Sequence, residues 1–300
     1  MEAQSNVPLW RYTTLKVGGE ATRFCQPESV DGLVALMEEI KRENQPWFVL
    51  GGGSNLLVSS KGVQGTVIRT AQMTKITTPE PGVLVADAGA RLPHLAKFAG
   101  TQGLSGFEFS VGIPGTVGGG VIMNAGAHGS CMANIIESVT ILDTQKGEVL
   151  TLANSDLGFE YRRCNLDPAR HVVLSARFRL TQERPEVIEA NTKHNEEYRW
   201  KTQPLGWPNA GSTFKNPEPT RGAGMLLDQA GAKNLREGAA AVSAVHANFV
   251  INMGGATSQE VSGLLKQMQE CVYKTFGVKL HPEWKTVGEF SVSEREVFQP

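Results

Sequence analysis

Gly112-Ile113-Pro114-Gly115-Thr116-Val117-Gly118-Gly119-Gly120 runs on to Asn124-Ala125-Gly126, and a shorter counterpart lies upstream, Val49-Leu50-Gly51-Gly52-Gly53-Ser54-Asn55. Both runs abut apolar segments. Glycine lacks Cβ, so such a run turns with positive φ and presents successive N–H groups to an anion. One such loop suits one phosphate; two in one chain suit a long diphosphate ligand gripped at both ends. Neither run fits G-x-G-x-x-G, and no Gly-Lys pair occurs, which excludes a P-loop. A cofactor site of a different type is implied.

Outward from these loops, 300 residues allow two or three domains, and the apolar fraction is ordinary for a globular chain. Lys and Arg number 29 against 30 Asp and Glu, with no basic block, so nucleic acid is not an expected partner. Met1-Glu2-Ala3-Gln4-Ser5-Asn6 carries an acid and no apolar core, unlike a signal peptide. No stretch approaches the roughly 20 apolar residues of a membrane span. Cys25, Cys131, Cys164 and Cys271 are far apart and form no C-x-x-C, which suggests a reduced, cytoplasmic setting and packing roles. The six histidines are scattered, so no metal site is expected, and nothing points to an obligate protein partner.

The periodicity reads as a small α/β subdomain to about residue 70, with further strands and helices beyond it. Ser29 caps an amphipathic helix from Val30 to about Asn44, with Val30, Leu33, Val34, Met37 and Ile40 on one face. Strands follow at Trp47–Leu50 and Thr66–Ile68. Val83–Ala90 reads as a buried strand and Leu92–Thr101 as a helix. Val139–Asp143 and Glu148–Thr151 flank a Gln145-Lys146-Gly147 turn, a hairpin pattern, and Val172–Leu180 reads as a half-buried strand. A polar helix covers about Pro185–Tyr198. Thr257-Ser258-Gln259-Glu260 is a capping box that opens the last long helix, and Gly277 ends it. The expected boundaries are 1–70, 71–182 and 183–300.

Three further segments are Tyr161-Arg162-Arg163, Ala210-Gly211-Ser212-Thr213-Phe214-Lys215-Asn216-Pro217 and His281-Pro282-Glu283. In order with the two glycine runs, they make the chain closely resemble the UDP-N-acetylenolpyruvoylglucosamine reductase family, flavoenzymes of bacterial peptidoglycan precursor synthesis. The resemblance runs from about Leu15 to Glu283. The short interval between Arg162 and Ser212 is similar to the family's second type, which lacks an extra tyrosine loop. The resemblance implies an α+β fold. Two FAD-binding subdomains of the vanillyl-alcohol-oxidase type would be followed by a C-terminal α+β substrate domain.

The resemblance also implies the chemistry. NADPH would reduce FAD, and the reduced flavin would reduce the enolpyruvyl ether of UDP-N-acetylglucosamine enolpyruvate to UDP-N-acetylmuramate. Arg162, Ser212 and Glu283 match the family's catalytic positions. Taken alone, they read as a surface arginine, a turn serine and an exposed glutamate. A guanidinium fork suits a carboxylate taking on further charge. A serine hydroxyl suffices as acid towards a strongly basic carbanion. A protonated Glu283 beside Trp284 would donate to the substrate carboxylate.

For FAD the family match implies Gly51, Gly52, Gly53, Ser54, Asn55, Gly112, Pro114, Gly115, Gly118, Gly119, Asn124, Ala125 and Gly126. The first loop holds no histidine, so non-covalent FAD is expected, with His128 the one histidine close to the second loop. Lys215, Asn216, His246 and Asn248 would meet the nucleotide part of the substrate, although a core role for His246 is equally open. Departures fall at Ala230-Gly231-Ala232-Lys233-Asn234 and Gly238-Ala239-Ala240, away from Arg162, Ser212 and Glu283. The competing readings are a flavin oxidase on the same scaffold, with no use for NADPH, and a nucleotide- or flavin-binding module without catalysis.

Overall fold

A computed structural model describes residues 3–218 and 220–299. The chain divides into two compact units. One holds Arg23–Gly52 and Gly65–Arg199 with the N-terminal residues to Gln4; the other holds Ser5–Thr22, Gly53–Gln64 and the chain from Trp200 onward. The division is discontinuous in sequence, whereas the expected cuts near 70 and 182 are contiguous. It passes through the first glycine run, between Gly52 and Gly53.

In the first unit, the helix Val30–Glu43 starts where Ser29 Oγ accepts the Gly32 N–H at 3.1 Å, and it ends at Asn44 in the left-handed conformation. Leu33, Leu36, Met37 and Ile40 are buried against Ile68, Leu142, Val172 and Leu174. Leu36 takes a fully buried place, while Val30 and Val34 sit at the edge of that core. The strand Trp47–Leu50 pairs in parallel with Val63–Arg69, Val49 facing Ile68, and delivers the chain to Gly51.

The larger sheet of this unit is antiparallel. Its order is Glu148–Ala153, Ile136–Asp143, His171–Arg179, Val83–Asp87, Ile76–Glu80. The expected hairpin forms in the register Ile141 to Leu150 and Asp143 to Glu148. Asp143 closes its turn by accepting the Gln145 and Lys146 N–H groups, and its carboxylate also takes the Arg170 fork. The expected strand Val83–Ala90 is cut short at Asp87, because Ala88 to Ala90 turn to receive the second glycine loop. Leu84, Ala86, Val139, Ile141, Ala176 and Phe178 form the core beneath it with Leu92, Leu95 and Ala99 of the helix Leu92–Thr101.

In the second unit, the helix Ser258–Phe276 is capped as expected. Thr257 Oγ1 accepts the Glu260 N–H, and the Glu260 carboxylate accepts the Thr257 N–H. Gly277 ends it with φ 67°. Val261, Leu264, Leu265, Met268 and Val272 face a core shared with Leu15, Val17, Leu57, Phe214, Leu226, Leu227 and Trp284. A three-stranded antiparallel sheet, Arg236–Glu237, Ala240–Val242 and Val250–Asn252, lies in the same unit. The strand Leu56–Val58 pairs in parallel with Lys285–Val287, Leu56 facing Lys285. Among the described residues, no helix is long and apolar enough to cross a membrane.

Candidate active site

The second glycine loop is fixed by its backbone. Leu92 N–H donates to Gly115 O at 3.0 Å, Val117 N–H to Ala90 O at 2.9 Å and Gly118 N–H to Ala88 O at 2.8 Å. So held, the loop meets the first one edge to edge. A Cβ on Gly51 would stand 2.6 Å from Thr116 Oγ1, and one on Gly52 would stand 3.0 Å from Pro114 O and 3.2 Å from Gly115 Cα. Side chains here would clash with the facing loop; glycine lets the two loops approach this closely. Thr116 is 3 % exposed, and its hydroxyl has no hydrogen-bond partner. An orphaned buried hydroxyl costs free energy of about 1–3 kcal/mol unless something fills the gap. A bare glycine cradle with an orphaned hydroxyl on its wall has the chemistry to take a diphosphate. Thr116 is a residue the sequence reading passed over, although a hydroxyl set among glycines was the available signal.

The flanks of the second loop serve its shape. The Gly112 Cα faces Arg199, whose Nη1 would lie 2.4 Å from a Cβ there. Burial pushes the Arg199 guanidinium below its ordinary pKa. No local pattern signals Arg199, 87 residues downstream. Ala125 N–H donates to Gly120 O, and Gly126 pairs with Cys131 in a small hairpin. His128, in that hairpin's turn, stands edge-on to Tyr198 at 5.5 Å between ring centroids. Burial, then Arg199 and His194, lower its pKa.

Asn124 ties this loop to the segment that carries Arg162. Its Oδ1 accepts the Ala133 N–H and its Nδ2 donates to Glu160 O, both at 3.0 Å. Glu160 and Arg163 exchange backbone hydrogen bonds, so Tyr161 and Arg162 form the tip of a tight two-residue turn. Arg162 has φ 60°, a conformation that costs a non-glycine residue on the order of 1–3 kcal/mol. Strain of this kind is kept where surroundings enforce it. The Arg162 guanidinium lies 5.1 Å from the Tyr161 ring centroid, while the neighbouring Arg163 forks onto Glu160.

In the second unit, the Ser212 and Glu283 segments are brought side by side. Glu283 N–H donates to Thr213 O at 2.8 Å, Lys215 N–H donates to His281 O at 2.9 Å, and Phe214 bridges to Pro282. Phe214 and Trp284 anchor the two segments in the core. Ser212, Lys215 and Glu283 are half-buried, and Gly211 has φ 74° just before the serine.

Asn55 joins the same group. Its Nδ2 donates to Glu283 O at 3.2 Å, and its own carbonyl accepts the Lys285 N–H at 3.0 Å. Lys285, which the sequence reading did not select, has its pKa lowered by burial and by the nearby Lys215 charge. Gly53 belongs here too. A Cβ on it would stand 2.1 Å from Tyr12 O, and φ is 63°, so glycine is demanded by a close backbone approach. Ser54 is half-buried between Gly53 and Asn55.

Three of the four expected nucleotide-contacting residues, Asn216, His246 and Asn248, have visible structural work. Asn216 Oδ1 accepts the N–H of Ala223, the first residue of the helix Ala223–Gln229. His246 Nδ1 accepts the Asn248 N–H at 3.1 Å, which leaves its proton on Nε2, and its ring stands edge-on to Phe249. Burial lowers its pKa, helped by Lys233 and opposed by Asp228. The Asn248 side chain meets the backbone of Phe214 on both sides. Among the described residues no cluster of His, Cys, Asp and Glu could hold a metal.

Known proteins share this plan. A family model described as "FAD binding domain" matches residues 21–153, and one described as "UDP-N-acetylenolpyruvoylglucosamine reductase, C-terminal domain" matches residues 203–287. A protein of Synechococcus sp. (strain RCC307) named UDP-N-acetylenolpyruvoylglucosamine reductase is 42% identical over 98% of this chain and 97% of its own length. A Caldanaerobacter subterraneus relative of the same name is 41% identical over 95% of this chain and 93% of its own. The crystal structure of the reductase from Thermus caldophilus superposes with a TM-score of 0.81 at 35% identity, covering 95% of this chain and 98% of that one. The expected α+β class, an FAD-binding fold followed by a C-terminal domain, is thereby the fold of this chain. The chain belongs to the UDP-N-acetylenolpyruvoylglucosamine reductase family.

Proposed function

We propose that this protein reduces the enolpyruvyl ether of UDP-N-acetylglucosamine enolpyruvate to UDP-N-acetylmuramate with NADPH. The single observation that carries the reading is near full-length identity of 42% to a reductase of that name. The glycine cradle with its orphaned Thr116 hydroxyl supports FAD as the cofactor, bound non-covalently, with Gly51, Gly52, Pro114, Gly115 and Thr116 as the residues that would hold it. Bound FAD supplies hydride chemistry between NADPH and the substrate's methylene carbon.

The side chains have the remaining tasks. Adding hydride to the methylene carbon leaves an electron pair on the neighbouring carbon, delocalised into its carboxylate. Arg162, on its strained turn, offers a fixed fork to that carboxylate as it gains charge. Glu283, when protonated, has a hydrogen bond to donate to it as well. Ser212 Oγ–H gives its proton to the carbon, which completes the lactyl ether, and the serine regains a proton from solvent. Lys215 and Lys285 put two cations near one another in the second unit, a setting suited to a diphosphate. Four free thiols support the cytoplasmic setting that belongs to this reading.

Anaerobic spectroscopy of the purified holoprotein tests the reading. NADPH should bleach the flavin, and the enolpyruvyl nucleotide should restore its colour. Recovery only with oxygen would favour a flavin oxidase on the same scaffold.

A further inference from the structure

Asn248 is 3 % exposed, and its polar atoms converge on the two residues after Ser212. Its Oδ1 accepts the Phe214 N–H at 2.9 Å, its Nδ2 donates to Phe214 O at 2.8 Å, and its main-chain carbonyl accepts the Thr213 N–H at 2.8 Å. The primary amide accepts and donates at once, and Phe214 fixes which end is which. Asn248 is itself held, since its N–H donates to His246 Nδ1. On the opposite edge, Thr213 O accepts the Glu283 N–H and the Lys215 N–H donates to His281 O. The segment after Ser212 is thus clamped from two sides. The Glu283 side uses main chain alone, whereas the Asn248 side adds two side-chain bonds to Phe214 to its own main-chain bond with Thr213.

We infer that Asn248 is the positioning residue of the proton donor, acting through the Phe214 backbone rather than by touching the nucleotide. The inference rests on the reading of Ser212 as proton donor. With both ends of its amide turned to Phe214, Asn248 presents no exposed polar edge to a ligand. Removing its side chain loosens the segment at Phe214, two residues from Ser212, and a misplacement of about 1 Å is enough to cost roughly 10²-fold in a proton transfer.

The test uses the FAD-loaded Asn248→Leu variant, which keeps the volume and loses both the acceptor and the donor to Phe214. Asn248→Ser is read in its place if that variant does not fold. Flavin reduction by NADPH should stay at the wild-type rate, and the nucleotide dissociation constant should be unchanged. Flavin reoxidation at saturating nucleotide should slow by about 10²-fold, with a larger solvent deuterium effect because proton delivery has become the slow event. Weakened nucleotide binding with wild-type reoxidation at saturation would overturn the inference in favour of a ligand contact. Equal slowing of both half-reactions, or none, would overturn it as well. Ser212→Ala is measured in parallel. If that variant reoxidises normally the proton-donor reading itself fails, an outcome separate from any Asn248 result.

Discussion

Glu283 donates its main-chain N–H to the carbonyl of Thr213 at 2.8 Å, and this one bond sets the expected acid and the expected proton donor on neighbouring segments. The two are 71 residues apart in sequence, and no local pattern joins them. Asn55 braces the far side by donating to Glu283 O. A residue of the first glycine run therefore supports the backbone of Glu283.

Glu283→Gln leaves those backbone bonds intact and removes only the acid. The variant should keep its FAD and its rate of reduction by NADPH, while reoxidation by the enolpyruvyl nucleotide falls by about 10²-fold or more. Stopped-flow absorbance of the two half-reactions checks this. Loss of bound FAD on purification would instead mark Glu283 as a structural residue.

Thr116→Val separates cofactor binding from folding. The valine removes a buried hydroxyl that has no partner in the protein, so the apoprotein should melt at the same temperature or higher. FAD affinity should fall by about 5- to 30-fold, the loss of one hydrogen bond of roughly 1–2 kcal/mol. Titration of apoprotein with FAD, beside thermal melts without it, gives both numbers. Unchanged affinity would remove Thr116 from the cradle.

The His246 imidazole has its pKa lowered by burial, with Lys233 assisting and Asp228 opposing. The unfolded chain takes up a proton as pH falls through about 6.5, whereas the folded form resists until a lower pH. Within that window the unfolded state binds more protons, so stability drops as pH falls. The fall in melting temperature between about pH 7.5 and about pH 5.5 should be smaller in His246→Gln than in wild type. An identical fall in the two proteins would show that His246 does not carry the dependence.

Local rules made several elements legible. Ser29 and the Thr257–Glu260 box mark helix starts by chemistry contained within four residues, and both caps form. The Gln145-Lys146-Gly147 turn sets its hairpin's register in the same way. The strand from Val83 ends before its apolar run does, because its end is set by Val117 and Gly118 donating to Ala90 and Ala88, a contact between distant segments. The Pro185 helix likewise runs on to Thr202, past the expected Tyr198. Gly51 stands against Thr116, and Gly52 against Pro114 and Gly115, so the two glycine runs do approach each other. Hidden in the sequence was the division of the first run, where Gly53 answers to Tyr12 and Asn55 to Glu283. The amides of Asn124 and Asn248 were also opaque, because their partners are main-chain atoms 36 and 34 residues away.

The most direct test of the central claim is anaerobic stopped-flow of Ser212→Ala through both half-reactions. Ser212 is assigned only the proton that completes the substrate, so reduction of the flavin by NADPH should proceed at the wild-type rate. Reoxidation by UDP-N-acetylglucosamine enolpyruvate should be slower by about 10²- to 10⁴-fold, the range of a lost general acid. Reoxidation at the wild-type rate would contradict the account, and so would a variant that NADPH no longer bleaches.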